Sequence, residues 1–99
     1  MKIQFPSDEP TYNCEDMTIE FVAKIDGHPV TCAVTAEALE DHFGAASMRV
    51  DDLLQAFRTG RARIDDLARH YLTMDVGAPV ILRSGHFRWK NAQPRERGA

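Results

Sequence analysis

A chain of 99 residues with 43% apolar and 27% charged side chains supports one domain with one modest core, and excludes a disordered chain, a collagen and a disulfide-dense miniprotein. No apolar run is long enough for a transmembrane helix, and the opening Met1-Lys2-Ile3-Gln4-Phe5-Pro6 has no hydrophobic signal core, so we expect a cytoplasmic protein. The net charge of −3 is unevenly spread, with −7 over residues 1–48, zero over 49–82 and +4 over 83–99.

Ile3 and Phe5 share one face of a short strand at residues 2–5. Residues 6–16 are polar and rich in turn formers, so a surface loop is expected. Met17, Ile19, Phe21, Ala23 and Ile25 then alternate with Thr18, Glu20, Val22 and Lys24, the period-two signature of a half-buried strand. Asp26-Gly27 tolerates the positive φ angles of a type I′ turn and marks a hairpin. Val30, Cys32 and Val34 alternate on the return. A two-residue loop sets Ile25 opposite His28, Ala23 opposite Val30, Phe21 opposite Cys32 and Ile19 opposite Val34. That register puts one apolar face inward and leaves Thr18, Glu20, Thr31 and Thr35 outside. It also turns the Pro29 nitrogen away from the first strand, so no third strand is expected to bond there.

Thr35 is a credible N-cap for a short helix at residues 36–43, with Glu37 in its first turn, Leu39 and Phe43 on one face, and Gly44 as the stop. Residues 45–49 are a connector in which Ser47 is a candidate cap. Val50, Leu53, Leu54, Phe57, Ile64, Leu67, Ala68 and Tyr71 lie on one helical stripe that stays in phase through Gly60. One long helix over residues 50–73 is expected, with two helices broken at Gly60 as the alternative. Residues 80–83 read as a short buried strand, which residues 84–87 would extend. We expect residues 1–90 to be a single domain and residues 91–99 a disordered tail. The fold class expected is α+β: a small antiparallel sheet of three to four strands, in the order β-β-β-α-α-β, packed on one long helix with a short second helix.

The chemistry-bearing residues form few patterns. His28, His42, His70 and His86 make no metal-binding spacing, and Cys14 and Cys32 make no CxxC pair, so no metal or cofactor is expected. Ser84-Gly85-His86 lacks the strand-turn-helix setting of a nucleophile elbow. Asp51-Asp52 and Asp65-Asp66 are neighbours about 100° apart on a helix; they are expected to cap it or to pair with Arg61 and Arg69 rather than converge on a substrate. No catalytic residues are assigned, and an enzyme is not expected. Arg58, Arg61, Arg63 and Arg69 on the helix, with Arg83, Arg88, Trp89 and Lys90 near the end, are the candidates for contacts to a partner or to nucleic acid. The acidic balance of the chain opposes phosphate binding.

The Asp-Gly hairpin, Ala38-Leu39-Glu40-Asp41-His42-Phe43-Gly44, Phe57-Arg58 with Arg61, Ile64 and Ala68, and Leu82-Arg83-Ser84 together resemble the family of small bacterial proteins called domain of unknown function 1488. The resemblance spans about residues 1–87. It implies a compact α+β domain and no particular activity, cofactor or functional residue. The family pattern ends in Ser-x-Asp-Phe, where this chain has Ser84-Gly85-His86-Phe87. The favoured expectation is a non-catalytic binding or regulatory module whose partner is another protein or a second copy. A nucleic-acid-binding accessory protein is the alternative, and no membrane contact is expected.

Overall fold

The alternation over residues 18–35 builds the centre of the molecule. In a computed structural model that describes residues 2–6, 9–75 and 78–87, strand β3 (Thr18–Ile25) pairs antiparallel with β4 (His28–Thr35). The pairing sets Phe21 opposite Cys32, Ile19 opposite Val34 and Ile25 opposite His28, as the two-residue loop requires. Asp26 and Gly27 both take positive φ, 50° and 86°. Strand β1 (Ile3–Gln4) adds to β3 at the hairpin end, and β2 (Thr11–Asn13) adds to β3 at its start.

Strand β2 lies where the sequence suggests only loop. Three residues are too few to show a period. Its turn is set by Asn13, whose Oδ1 accepts the N–H groups of Glu15 and Asp16, with Met17 at φ 56°. On the outer face, Thr18 and Ala33 are nevertheless buried, at 4% and 6% exposure.

Helix α1 (Ala36–Phe43) begins at Thr35, whose hydroxyl accepts the Ala38 N–H at 3.1 Å, and ends at Gly44 in the left-handed region, φ 71°. Residues 50–74 form two helices, not the single one expected: α2 (Val50–Thr59) and α3 (Arg61–Met74) meet at Gly60. Leu53, Phe57, Ile64, Leu67 and Ala68 still face the sheet, joined by Ala56 and Leu72. Val50, placed on the same stripe, is 39% exposed, because it opens the helix before the buried turns begin. Ser47 does not cap α2 itself; its hydroxyl donates to Asp52 at 2.6 Å.

Strand β5 (Val80–Leu82) pairs parallel with β4 at Cys32–Val34. The sheet is therefore mixed, in the order β1-β3-β4-β5, rather than antiparallel throughout. The three helices between β4 and β5 carry the chain back to the end from which β4 started, and a parallel neighbour needs such a crossover. The β4–β5 pairing stops short of Pro29, as the missing N–H demands. Residues 84–87 do not extend β5. They turn into one helical turn, and Phe87 is fully buried. The result is an α+β domain with helices on one face of an open sheet. Among the described residues, no helix is long and apolar enough to cross a membrane.

Candidate functional site

The turn at 84–87 is pinned between α1 and α3, and its first residue joins a polar cluster that links distant parts of the chain. The Ser84 hydroxyl donates to Asp41 Oδ2 at 2.6 Å. His42 Nε2 lies 3.0 Å from the Ser84 carbonyl oxygen and 3.1 Å from its Oγ. A carbonyl oxygen can only accept, so Nε2 carries the proton. Serine, histidine and aspartate thus meet in space, but in the wrong order for nucleophilic attack. A base must take the serine proton and be oriented by the acid. Here the serine proton goes directly to the carboxylate, and the imidazole is a donor. Ser84 is also buried, at 5% exposure. The cluster ties the end of α1 to the chain after β5.

Beyond this tie, Arg83 donates its backbone N–H to His86 Nδ1 at 2.8 Å. The His86 ring lies 5.0 Å from the Tyr71 ring, which in turn meets the His70 ring edge-on at 5.1 Å. Between the end of α3, the start of β5 and this turn runs an open groove of about 460 Å³, lined by Tyr71, Met74, Asp75, Ala78, Pro79, Val80, Ile81 and His86. Met74 and Ile81 are 68% and 46% exposed there. A second hollow of about 400 Å³ shares Tyr71, Met74 and His86 and extends the groove along α3 to His70 and Gly85.

The sequence-predicted arginines do not form one face. Arg58 is exposed and pairs with Glu9 at 3.5 Å. Arg61 lies over the rings of Phe57 and Phe21 at 5.0 and 5.7 Å, donates to the Pro6 carbonyl at 3.1 Å, and binds Asp65 through Nε at 3.1 and 3.2 Å. Arg63 lies over Phe43 and Phe87 at 4.9 and 5.7 Å, and Arg69 lies over Phe5 at 5.2 Å. Arg83 is exposed at the end of β5. Arg88, Trp89, Lys90 and the 91–99 tail lie outside the described residues. The Arg61–Asp65 pair was legible from its spacing. The aromatic contacts of the arginines were not, because most of their partners are distant in sequence.

Two groups have shifted acidities. Burial, with the Asp65 charge nearby, pushes the Cys32 thiol up to about 11. Burial also raises the Asp65 carboxyl, against the opposing pull of Arg61 and Arg69. Among the described residues, no three histidine, cysteine, aspartate or glutamate side chains are placed to hold a metal ion.

Residues 3–81 match the model of a family described as protein of unknown function (DUF1488). A crystal structure from Shewanella loihica PV-4, of a protein of unknown function from the same family, superposes with a TM-score of 0.69 at 24% identity. The match covers 84% of this chain and 97% of that one, and shows a shared fold. No curated protein matches the sequence.

Proposed function

This chain belongs to the DUF1488 family, whose description assigns no activity, and from that premise we propose that it is a non-catalytic protein-binding module whose partner docks at the groove between α3 and β5. The occupant is an extended segment of another protein carrying a large apolar side chain. One observation carries this: an apolar groove lies directly beside a strand edge that has no neighbour among the described residues. Among the described residues β5 ends the sheet, so its outer edge offers backbone hydrogen bonds to an added strand. Tyr71, Met74 and Ile81 offer apolar surface at the same place. Affinity then comes from the main chain and selectivity from the side chain seated in the groove.

The test is selection of displayed random peptides against the full chain, with amide mapping of the bound state. A binder is expected to slow amide exchange at residues 80–82 and to shift Tyr71 and Met74. Met74→Asp should weaken it by about tenfold or more, equivalent to about 1.4 kcal/mol. That side chain is 68% exposed, so the fold tolerates the change. Binders that map elsewhere, or that ignore Met74→Asp, overturn the proposal. Concentration-dependent dimers that protect the same amides would replace the foreign segment with a second copy. Oligonucleotide binding that falls steeply with salt would favour the nucleic-acid alternative.

A further inference from the structure

The groove has one wall that a single proton can loosen. In the turn at 84–87, the His86 N–H donates to the Arg83 carbonyl at 3.0 Å, while His86 Nδ1 accepts the Arg83 N–H at 2.8 Å. The second bond is one half of a capping box, the side chain of the third helical residue accepting the N–H of the residue before the helix, with an imidazole where a glutamate or glutamine usually stands; the first is an ordinary backbone turn bond. A carboxylate or carboxamide oxygen accepts at any pH near neutrality. An imidazole nitrogen accepts only while it lacks a proton. The bond therefore requires a neutral ring with its hydrogen on Nε2. A second proton on Nδ1 abolishes the acceptor and sets a positive charge against the N–H groups that open the turn.

We propose that His86 is a proton-sensitive clasp: neutral, it closes the turn that forms one wall of the groove, and charged, it releases that wall. His42 shows why this behaviour belongs to His86 alone in the cluster. His42 bonds Ser84 through a nitrogen that donates, so a further proton leaves those bonds in place. The groups facing the turn are Arg63, His70 and Tyr71 from α3, Asp75 just after that helix, Asp41 and His42 from α1, and Arg83 before it. Of these, Asp75 is the carboxylate that lines the groove together with His86. The Ser84–Asp41 bond holds the start of the turn, so release falls on its second half, where Phe87 packs edge-on to Phe43 at 5.1 Å. The clasp stands on its own geometry. Only its effect on partner binding rests on the proposed groove function.

The experiment tracks the nitrogen-labelled full chain from about pH 8 to about pH 5, the range in which imidazoles titrate. Three signals are read: the His86 ring nitrogens, Arg83 amide exchange relative to its intrinsic rate, and the Phe43–Phe87 ring contacts. Arg83 exchange is expected to rise about fivefold, the worth of one hydrogen bond, with the midpoint of the His86 ring. His86→Asn keeps an acceptor and does not titrate, so its Arg83 amide should stay protected throughout. An Arg83 amide that stays protected while His86 is charged overturns the clasp. So does equal loss of protection in His86→Asn. If the turn opens and a groove-binding peptide keeps its affinity, the clasp stands and the groove function falls.

Discussion

Replacing Gly60 with alanine separates local helix preference from tertiary packing. Glycine between two helical segments costs about 1 kcal/mol relative to alanine, so propensity alone predicts that Gly60→Ala stabilises and fuses α2 with α3. The backbone raises no objection, since φ is −98° and ψ is 13°. The objection is Phe43. A Cβ on residue 60 would overlap Cδ1 and Cε1 of that ring and stand 3.1 Å from Cγ. The ring has little room to retreat. Phe87 meets it edge-on at 5.1 Å, and the Arg63 guanidinium lies 4.9 Å from its centre. Overpacking of this kind costs about 1–3 kcal/mol, which outweighs the propensity gain. We expect Gly60→Ala to lower stability by about 1 kcal/mol net, read as a fall in urea midpoint at unchanged slope. In a Phe43→Ala background the same change should stabilise, by up to about 1 kcal/mol, giving a coupling near 2 kcal/mol. If Gly60→Ala stabilises the wild type, or has the same effect in both backgrounds, Phe43 is not the reason for the break.

The two shifted groups give two further outcomes. Cys14 is exposed, while Cys32 is fully buried with its thiol pushed up to about 11, so one thiol per chain should react promptly with a disulfide reagent near pH 8 and the second only on unfolding. Two prompt thiols would refute the burial of Cys32. Asp65 holds its proton more tightly folded than unfolded, so its ionisation costs stability as pH rises from about 4 towards neutrality. Over that window Asp65→Asn should gain stability relative to wild type in denaturant titrations, and a relative loss would reverse the assigned sign.

The register of the central hairpin was readable because two independent signals agree, although Met17, read as the first inward residue of the strand, lies before it with φ 56° and 48% exposure. Period-two alternation defines the faces and Asp-Gly defines the turn, so one register satisfies both. The α1 boundaries were readable for the same reason, with a hydroxyl cap at Thr35 and a left-handed Gly44. Legibility fails where structure depends on partners distant in sequence. The break at Gly60 is decided by Phe43, seventeen residues earlier. The direction of β5 is decided by the path of three helices, which a three-residue strand cannot encode. The helical turn at 84–87 is decided by His86 reaching back to Arg83 and by Phe87 finding the Phe43 ring. The groove combines these missed features, since its walls are β5, that turn and the end of α3. Composition marked no site because nothing about Tyr71, Met74, Ile81 or His86 is unusual until the fold brings them together.

The arginines show how a correct count leads to the wrong surface. Phe5, Phe21, Phe43, Phe57 and Phe87 are the five phenylalanines of the chain, and each lies under a guanidinium from α3. Arg61 covers two, Arg63 two and Arg69 one. Such contacts contribute about 0.5–2 kcal/mol each, more where water is excluded. They also let a long side chain lay its stem over apolar surface while its head stays hydrated. A domain of this size has few large side chains with which to seal its core. Arginine at these three positions closes the aromatic edges that a two-layer fold leaves open, and lysine would do so less well because it lacks the flat, weakly hydrated head. The positive charge that reads in the sequence as a phosphate-binding stripe is therefore spent largely inside the molecule. The exposed arginines of these helices are Arg58, paired with Glu9, and Arg69, which lies beside the Phe5 ring. Met74 and Ile81 are exposed apolar side chains that meet beside the β5 edge, a surface suited to a protein segment rather than to a phosphate backbone.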